Sequence, residues 1–253
     1  MPVARVLSRA VLAVLAAASS AAQTTRHTGG TSPVPAATRQ LVLVVTPTWD
    51  TTSGVLRRYV RSGSRAPWRR VGAVVPVVIG TSGLAWGADS LGAPGDPRKR
   101  EGDGRSPAGV FPLDGAFGFA PPSAMSRVRL PYLQLTAGSE CVDDTASGHY
   151  NTVVDRDRVS KVDWSSSEHM RRIAQYQVGA LVGYNTQPVR KGRGSCIFLH
   201  IWDGPGSSTA GCTAFPRADV EALLAWLDPK QRPVLVQLPR AEYARLKRAW
   251  ALP

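Results

Sequence analysis

The sequence predicts a mainly β domain with a few short helices, closed as a sandwich or a barrel. Short apolar runs of strand length recur along the chain, and turns rich in Gly and Pro separate them. Apolar residues at helical spacing occur in only a few short stretches. With 253 residues, of which 43% are hydrophobic, the chain has enough length and apolar surface for one domain with its own core.

The first 22 residues are typical of a secretory signal peptide. Arg5 and Arg9 precede an apolar run at 10–18, and small residues follow at 19–22. The run is too short to cross a bilayer as a helix. We therefore expect cleavage of residues 1–22, a secreted product, and no stable transmembrane segment afterwards. A leader that is retained as a membrane anchor is the alternative.

Residues 23–40 predict a flexible tether. This stretch is rich in Thr, Gly, Pro and Ala and has neither helical nor strand periodicity. The apolar run LVLVV, which begins at Leu41, predicts the first strand. The folded domain is accordingly expected to span residues 41–253.

Seven short runs predict the strands of this domain. Pro76 lies in the second of them, and because Pro cannot donate to a sheet ladder, it predicts a position at a sheet edge. The predicted strands are 41–45, 74–79, 110–113, 130–135, 178–184, 197–201 and 234–238.

Three stretches predict helices. Residues 165–172 open with serines that are candidate N-caps and have Glu168 in the first turn. Residues 216–227 carry apolar side chains at helical spacing, and residues 240–251 predict an amphipathic helix.

The most informative stretch is CIFLHIWDGPGSSTAGCTAF at 196–215. It places His200 in an apolar run and Cys212 after a turn of small residues. A thiol attacks as the thiolate, which a nearby imidazole generates by taking the proton. Small residues before the cysteine leave backbone N–H groups free to approach an oxyanion. The stretch therefore predicts a Cys/His acyl-transfer site, with Thr209 and Gly211 as positioning residues.

A structural interpretation of the same residues stays open. Cysteine often serves as a small buried hydrophobe, and a histidine at the end of a strand is often structural. However, the small-residue turn around Cys212 offers a structural cysteine little burial. The loop DGPGSS at 203–208 can also fold back and bring His200 and Cys212 together, which favours the catalytic interpretation.

The number of cysteines is a separate indication. The chain has three, so an exported form with one disulfide retains one unpaired thiol. In an oxidising compartment such a thiol is either an intermolecular partner or a reactive group.

Several motifs together resemble the L,D-transpeptidase catalytic domain family (YkuD type), in an exported branch. The family motif is a histidine after a hydrophobic strand, then a loop, then Ser/Thr-x-Gly-Cys, which matches His200 and Thr209–Cys212. Further similar stretches are GDGRSPAGVFPL at 102–113, CVDD at 141–144, DWSSSEHM at 163–170 and GYN at 183–185. The resemblance covers about residues 41–238.

The resemblance implies the closed, sandwich-like or barrel-like fold of that family and cysteine-dependent chemistry on peptidoglycan. Cys212 is then the nucleophile and His200 the general base. The implied reaction cleaves the bond between the L-centre and D-alanine of a tetrapeptide stem and transfers the acyl group to an amine of another stem. Hydrolysis of the same bond by a carboxypeptidase, and a catalytically silent wall-binding module, are the alternatives.

The resemblance also implies a disulfide pairing. Cys141 and Cys196 both adjoin matched stretches, and a bridge between them leaves Cys212 free. A bond between Cys196 and Cys212, which would silence the site, is the alternative.

Substrate contacts are less defined by the sequence. Better-known family members carry a histidine before the Gly-Cys pair and an arginine two places after the cysteine, where this chain has Ala210 and Ala214. We expect Arg105, Tyr184 and Asn185 as substrate-binding residues. Arg190, Lys191 and Arg193 are further candidates for the missing positive charge.

The charge is strongly basic, with a formal net charge of +13. Such a chain favours polyanions, and with an export signal the acidic polymers of a bacterial wall are the expected partners beside the stem peptides. No nucleic-acid module is recognisable, so nucleic acid is not expected as a partner. We expect a monomer in the cell wall or periplasm, without cofactor or metal.

Overall fold

Strand β1, Gln40–Thr46, is buried along its whole length in a large mixed sheet. It pairs in parallel with β14 (Val234–Pro239) and antiparallel with β2 (Ser53–Val60). The continuous apolar sequence of β1 suits this position, because a strand covered on both faces needs no polar alternation.

The computed structural model of the chain describes residues 1, 32–87 and 92–253. The other strands in this part are β3 (Arg69–Val78), β4 (Leu84–Trp86), β5 (Ser106–Pro112), β6 (Gly115–Gly118), β7 (Tyr132–Gln134), β8 (Ser139–Val142), β9 (Val153–Asp155), β10 (Ser167–His169), β11 (Val178–Leu181), β12 (Phe198–Ile201) and β13 (Thr213–Phe215). The helices are α1 (Arg217–Trp226), α2 (Arg240–Leu246) and five short 3-10 helices at Pro122–Ala124, Arg156–Arg158, Met170–Arg172, Ala174–Gln177 and Pro229–Gln231.

Two sheets contain all these strands. The large sheet has the order β4-β5-β14-β1-β2-β3-β13-β12-β11-β6-β7, and the small one has the order β10-β8-β9. Leu84 of β4 and Val178 of β11, from distant parts of the large sheet, belong to one hydrophobic core. The large sheet therefore folds over on itself around a shared core. The predicted mainly β, sandwich-like fold is confirmed, and all seven predicted strands are present with shifted ends.

The helix predictions succeed in part. Helix α1 matches the predicted 216–227 and buries Val220, Leu223 and Leu224, whereas α2 begins where predicted and ends sooner. Among the described residues, no helix combines the length and the apolar character needed to cross a membrane.

The predicted helix at 165–172 is wrong. This stretch forms β10, which pairs antiparallel with β8, followed by a 3-10 turn at Met170–Arg172. The serines bond to carboxylates from another part of the chain instead of capping a helix. Ser165 Oγ donates to Asp144 and Ser167 Oγ donates to Glu140, each over 2.8 Å. Partners from elsewhere in the chain thus decide the local conformation.

Folded structure begins before the predicted boundary at Leu41. Val34 and Thr38 are buried, and the guanidinium of Arg61 donates to the carbonyl oxygens of Pro35, Ala36 and Thr38. The tether prediction is therefore wrong for residues 32–40, which pack onto the domain. The predicted signal peptide and the rest of the tether lie outside the described residues, apart from the first residue.

Candidate active site

A short turn before β13 presents Cys212. The hydroxyl of Thr209 closes this turn, because it donates to the carbonyl oxygen of Cys212 over 2.7 Å and accepts from the N–H of Gly211 over 3.1 Å. A Cβ on Gly211 would lie 3.2 Å from the carbonyl oxygen of Arg105 and 3.3 Å from Cδ1 of Ile197. The small residues of the motif therefore let the turn pack tightly against its neighbours.

Ser106, at the start of β5, also holds the backbone of Cys212. Its hydroxyl donates to the carbonyl oxygen of Cys212 over 2.8 Å and accepts from the N–H of Gly80 over 2.9 Å. The N–H of Thr209 donates to the carbonyl oxygen of Ile79 over 3.0 Å. The turn is thus anchored to two neighbouring segments of the domain. Sequence reasoning missed Ser106, although it lies inside the matched stretch at 102–113.

The thiol of Cys212 is buried, with 5% of the residue exposed. Its Sγ accepts from the N–H of Phe198 over 3.3 Å and donates to the carbonyl oxygen of Cys196 over 3.4 Å. Burial raises the pKa of this thiol, and the nearby carboxylate of Glu168 acts in the same direction. A thiolate here consequently requires a proton acceptor close at hand.

His200 lies on the same face of the sheet as Cys212. Strands β12 and β13 are parallel, and His200 lies opposite Ala214. Two positions earlier on each segment, Cys212 lies beside Phe198. Side chains two positions apart point to the same face of a strand, so His200 and Cys212 lie on one face of the sheet. Nδ1 of His200 lies 2.7 Å from the carbonyl oxygen of Ile201. Because a carbonyl only accepts, Nδ1 carries the hydrogen and Nε2 is the proton acceptor.

Burial also controls the charge of His200. It lowers the pKa of the imidazole, while the carbonyl of Ile201 and the charge of Asp203 act in the opposite direction. The neutral form, which can accept a proton, is therefore favoured at neutral pH.

Tyr176 covers both residues from the 3-10 helix at Ala174–Gln177. Its ring centroid lies 5.1 Å from that of His200 and 5.4 Å from that of Phe198. Its hydroxyl donates to Oε2 of Glu168 over 2.7 Å, and its ring belongs to the same buried cluster as Cys212. Its aromatic type and position in the sequence gave no signal of this place in the site.

Cys212, His200 and Tyr176 line a cavity of about 450 Å³. Four carboxylates also line it, from Glu101, Asp143, Glu168 and Asp203. Lys99 lines it as well, but its ammonium is paired with Asp103 at 2.6 Å. The cavity is therefore acidic within a basic chain, so it favours a cationic group over an anionic one.

The disulfide between Cys141 and Cys196 is present, as the family resemblance implied. Cys212 is the free cysteine, and the alternative bond between Cys196 and Cys212 is wrong. The bridge joins the small sheet to the residue two positions before β12. It thereby fixes Cys196, whose carbonyl contacts the Cys212 thiol.

Asn151 is a second anchor of Cys196 that sequence reasoning missed. Its Oδ1 accepts from the N–H of Cys196 over 3.0 Å, and its Nδ2 donates to the carbonyl oxygens of Tyr184 and Asn185 over 3.0 and 2.8 Å. Cys196 itself has φ +55°, a conformation that an L-residue adopts only when surrounding contacts hold it.

The three predicted substrate-binding residues make contacts within the domain. Arg105 binds Asp50 at 2.7 Å and the carbonyl oxygen of Leu84 at 2.8 Å. Tyr184 is buried against Phe111, and its hydroxyl donates to the carbonyl oxygen of Arg193. Asn185 bonds within its own loop. Their contacts with substrate stay predictions.

One family comparison gives a match. The model of the YkuD family, described as the L,D-transpeptidase catalytic domain, matches residues 48–236. That range contains the turn of Cys212, His200, the disulfide and the small sheet. No curated protein and no solved structure matches the chain significantly.

Proposed function

Because the chain belongs to the L,D-transpeptidase catalytic domain family, we propose that it is a peptidoglycan L,D-transpeptidase with Cys212 as nucleophile and His200 as general base. Enzymes of this family are cysteine-dependent and act on the cell wall. One observation carries the proposal most directly. The unpaired Cys212 and His200 line one cavity on the same face of the sheet, and Nδ1 of His200 bonds to the Ile201 carbonyl, which leaves Nε2 as the proton acceptor.

Acylation follows from this arrangement. Nε2 of His200 takes the proton of the Cys212 thiol, and Sγ attacks the carbonyl carbon of the L-centre that precedes D-alanine. Backbone N–H groups of the turn stabilise the oxyanion, and the internal hydrogen bonds of Thr209 and Gly211 position that turn. His200 then returns the proton to the nitrogen of D-alanine, the C–N bond breaks, and a thioester remains on Cys212.

Deacylation requires an acceptor. The acidic lining of the cavity supports an amine, because Glu168 and Asp143 attract the ammonium form of a side-chain amine before it loses its proton to His200. The amine nitrogen then attacks the thioester carbon and loses its second proton, the C–S bond breaks, and a new amide joins two stems. Cys212 Sγ regains a proton from His200, and the remaining proton passes to water. With water as acceptor the same site is a carboxypeptidase, which is the second candidate reaction.

The setting of the reaction is part of the proposal. A disulfide suits an oxidising compartment, and the predicted signal peptide suits export, so we place the enzyme in the cell wall or periplasm. Its basic charge favours acidic wall polymers near the site, whereas the acidic cavity favours the amine of the acceptor stem.

Mass spectrometry of the products from a defined tetrapeptide muropeptide tests the reaction. Cross-linked dimers with release of D-alanine are expected, with tripeptide as a minor product. Cys212→Ala is the matched control, because it removes the thiol and leaves the turn. Tripeptide alone at high stem concentration would identify a carboxypeptidase. No release of D-alanine by protein with a free Cys212 would favour a silent wall-binding module.

A further inference from the structure

Two segments of the chain carry most of its net positive charge. Residues 53–70, which form β2, its hairpin loop and the start of β3, contain six arginines and no acidic residue. Residues 240–253, which form α2 and the C-terminal turn, contain four basic residues and one acidic residue. Together the two segments supply nine of the 13 net positive charges of the chain. The charge is therefore concentrated in a small part of the sequence.

These two segments lie side by side in the fold. Nε1 of Trp68, in the hairpin loop, donates to the carbonyl oxygen of Ala251 over 2.8 Å. Helix α2 packs on β1, which is the strand that pairs with β2. Tyr59 of β2 and Tyr243 of α2 both pack against the main hydrophobic core. The basic residues of the hairpin and of the helix thus belong to one continuous surface.

Three cations of this surface surround the two tyrosines. Arg70 pairs with Tyr59 across β2 and β3, and Arg57 shares the face of Tyr59 because it lies two positions earlier on β2. Nζ of Lys247 lies 5.6 Å from the ring centroid of Tyr243. Burial raises the pKa of Tyr59, and the charges of all three cations oppose that rise. We call Arg57, Arg70 and Lys247 the basic patch.

The basic patch keeps its charge available to an outside anion. Arg70 and Lys247 are exposed, and Arg57 is half-buried. None of the three has an acidic partner in the part of the chain that the structure describes. Arg58 and Arg61, on the same hairpin, instead donate to backbone carbonyl oxygens. The fold therefore uses those two arginines internally and leaves the basic patch unneutralised.

The basic patch is separate from the cavity of Cys212. None of its three residues lines that cavity. Arg70 lies on β3 eight positions before Val78, which pairs with Ala214 beside the nucleophile. At about 3.3 Å per residue, this stretch of β3 corresponds to roughly 25 Å. A ligand on the basic patch can therefore hold the domain without touching the reacting bond.

We propose that the basic patch binds a linear anionic polymer of the wall with repeating phosphate diesters, and so holds the enzyme beside its stem-peptide substrate. Two of the three cations are arginines, whose planar fork matches the oxygens of a phosphate group. Cations on an open strand face suit a polymer that lies along the surface, because each repeat brings another charge to the same field. The inference rests on the proposed function only for the location at the wall.

A soluble polymer fits this surface better than a membrane does. Binding to a lipid surface needs apolar side chains that insert below the headgroups, in addition to basic ones. Among the large apolar side chains that are exposed in the described part of the chain, Val74 on β3 is the one near the basic patch. The aromatic rings of Tyr59 and Tyr243 pack against the core and are not presented to a bilayer.

Calorimetric titration of the purified chain with soluble poly(glycerol phosphate) tests the proposal without any turnover. We expect binding at low salt that weakens steeply as salt is added, because the contacts are between exposed charges. A combined Arg57→Gln, Arg70→Gln and Lys247→Gln variant should bind about tenfold more weakly or worse, since each exposed ion pair contributes a small, separate gain.

A matched control removes three charges from elsewhere on the surface. The variant Arg127→Gln, Arg158→Gln and Lys161→Gln changes exposed side chains and has the same net charge as the patch variant. It should bind the polymer within about threefold of wild type, because salt screens charges that are distant from the ligand. Equal losses in the two variants would show that net charge alone attracts the polymer, and would overturn the proposal.

Three further outcomes are decisive. Melting curves report whether the variants fold; if the combined patch variant does not, Arg70→Gln and Lys247→Gln alone should each weaken binding about two- to fivefold, and no loss in either would overturn the proposal. Absence of polymer binding by wild type at low salt would overturn it too. Binding to vesicles of phosphatidylglycerol and phosphatidylcholine, but not to the polymer, would replace it with a lipid surface.

The proposed transpeptidase and the basic patch can fail separately. Because the patch residues do not line the cavity, the combined patch variant should turn over soluble tetrapeptide stems at the wild-type rate. Polymer binding through the patch without any turnover of stems would remove the transpeptidase and leave this inference intact. Turnover of stems without polymer binding would do the reverse.

Discussion

The hydroxyl of Ser106 donates to the carbonyl oxygen of Cys212 over 2.8 Å, although 106 positions separate the two residues. The Thr209 hydroxyl donates to the same oxygen over 2.7 Å. Two donors from different segments thus fix the peptide group that follows the thiol. Strand β5 and the turn at Thr209 together therefore fix the backbone of Cys212.

Replacing Cys212 should remove activity altogether. Cys212→Ala lacks the nucleophile, and Cys212→Ser should be nearly inactive because the hydroxyl is far harder to ionise than the thiol. Release of D-alanine from tetrapeptide stems measures the effect. More than a few per cent of wild-type turnover in the alanine variant would exclude Cys212 as nucleophile.

His200→Ala should lower the rate by roughly two to four orders of magnitude through loss of general-base catalysis. Burial lowers the pKa of His200, so its neutral, accepting form should persist to a pH below the ordinary value of 6.5. The acid limb of kcat/KM for wild-type enzyme should accordingly lie below pH 6.5. An unchanged rate in the variant would contradict the pairing with Cys212.

Gly80→Ala should disturb both stability and activity. An added Cβ would lie 2.3 Å from the carbonyl oxygen of Gly104 and 2.7 Å from the N–H nitrogen of Ser106, so backbone segments must separate. The expected loss of unfolding free energy is about 1 to 3 kcal/mol, measured by urea denaturation. Gly63→Ala is the control, because its Cβ meets no atom within 4 Å. Equal effects of the two substitutions would refute the steric explanation.

The disulfide should be visible in a thiol titration. Under denaturing, non-reducing conditions the protein should titrate one free thiol, and after reduction it should titrate three. Because the bridge closes a loop across 55 positions, its loss should lower the unfolding free energy by about 2 to 4 kcal/mol. Three free thiols without reductant would refute the bridge.

Glu140 should make the domain sensitive to acid. Burial raises the pKa of its carboxyl, but hydrogen bonds from Arg156, Trp164 and Ser167 outweigh that effect and lower the pKa to about 2. The stabilisation is therefore complete above the ordinary pKa of 4.5 and is lost as the pH falls from 4.5 towards 2.

Urea denaturation of wild-type protein and Glu140→Gln across this range measures the contribution. The variant should be less stable by about 1 to 3 kcal/mol at pH 6, because the hydrogen bonds from Arg156, Trp164 and Ser167 lose their charged acceptor, and the difference should shrink towards pH 2. A difference that stays constant with pH would show that the ionised carboxyl contributes nothing.

Local sequence patterns were sufficient for part of this structure. The apolar run at Leu41–Val45 predicts a strand because its period and length are local properties. Cys212 and His200 are recognisable because the turn and the strand that present them lie close together in the sequence. The edge prediction for Pro76 holds only locally. Strand β3 lies inside the large sheet, between β2 and β13, but β13 pairs with it only at Val78, so that Pro76 has a strand partner on the β2 side alone.

Other features depend on contacts that no local pattern reveals. The local sequence predicts Glu168 in the first turn of a helix, whereas in the structure it pairs with Cys141 of β8, 27 positions upstream. Tyr176 becomes part of the site because it packs over Cys212 and His200 from a separate 3-10 helix. Arg105 seemed available for substrate, yet Asp50, 55 positions away, binds it. Such partners are set by tertiary packing, which local propensity does not determine.

The parallel pairing of β1 with β14 has a consequence for the order in which the chain folds. Strand β1 cannot complete its hydrogen bonding until β14 is present, because Val234–Pro239 is one of its two neighbouring strands. Two strands nearly 200 positions apart pair slowly, because the chain loses conformational entropy before their contacts form. During synthesis β1 therefore lacks one of its two strand neighbours until nearly the whole chain has been made.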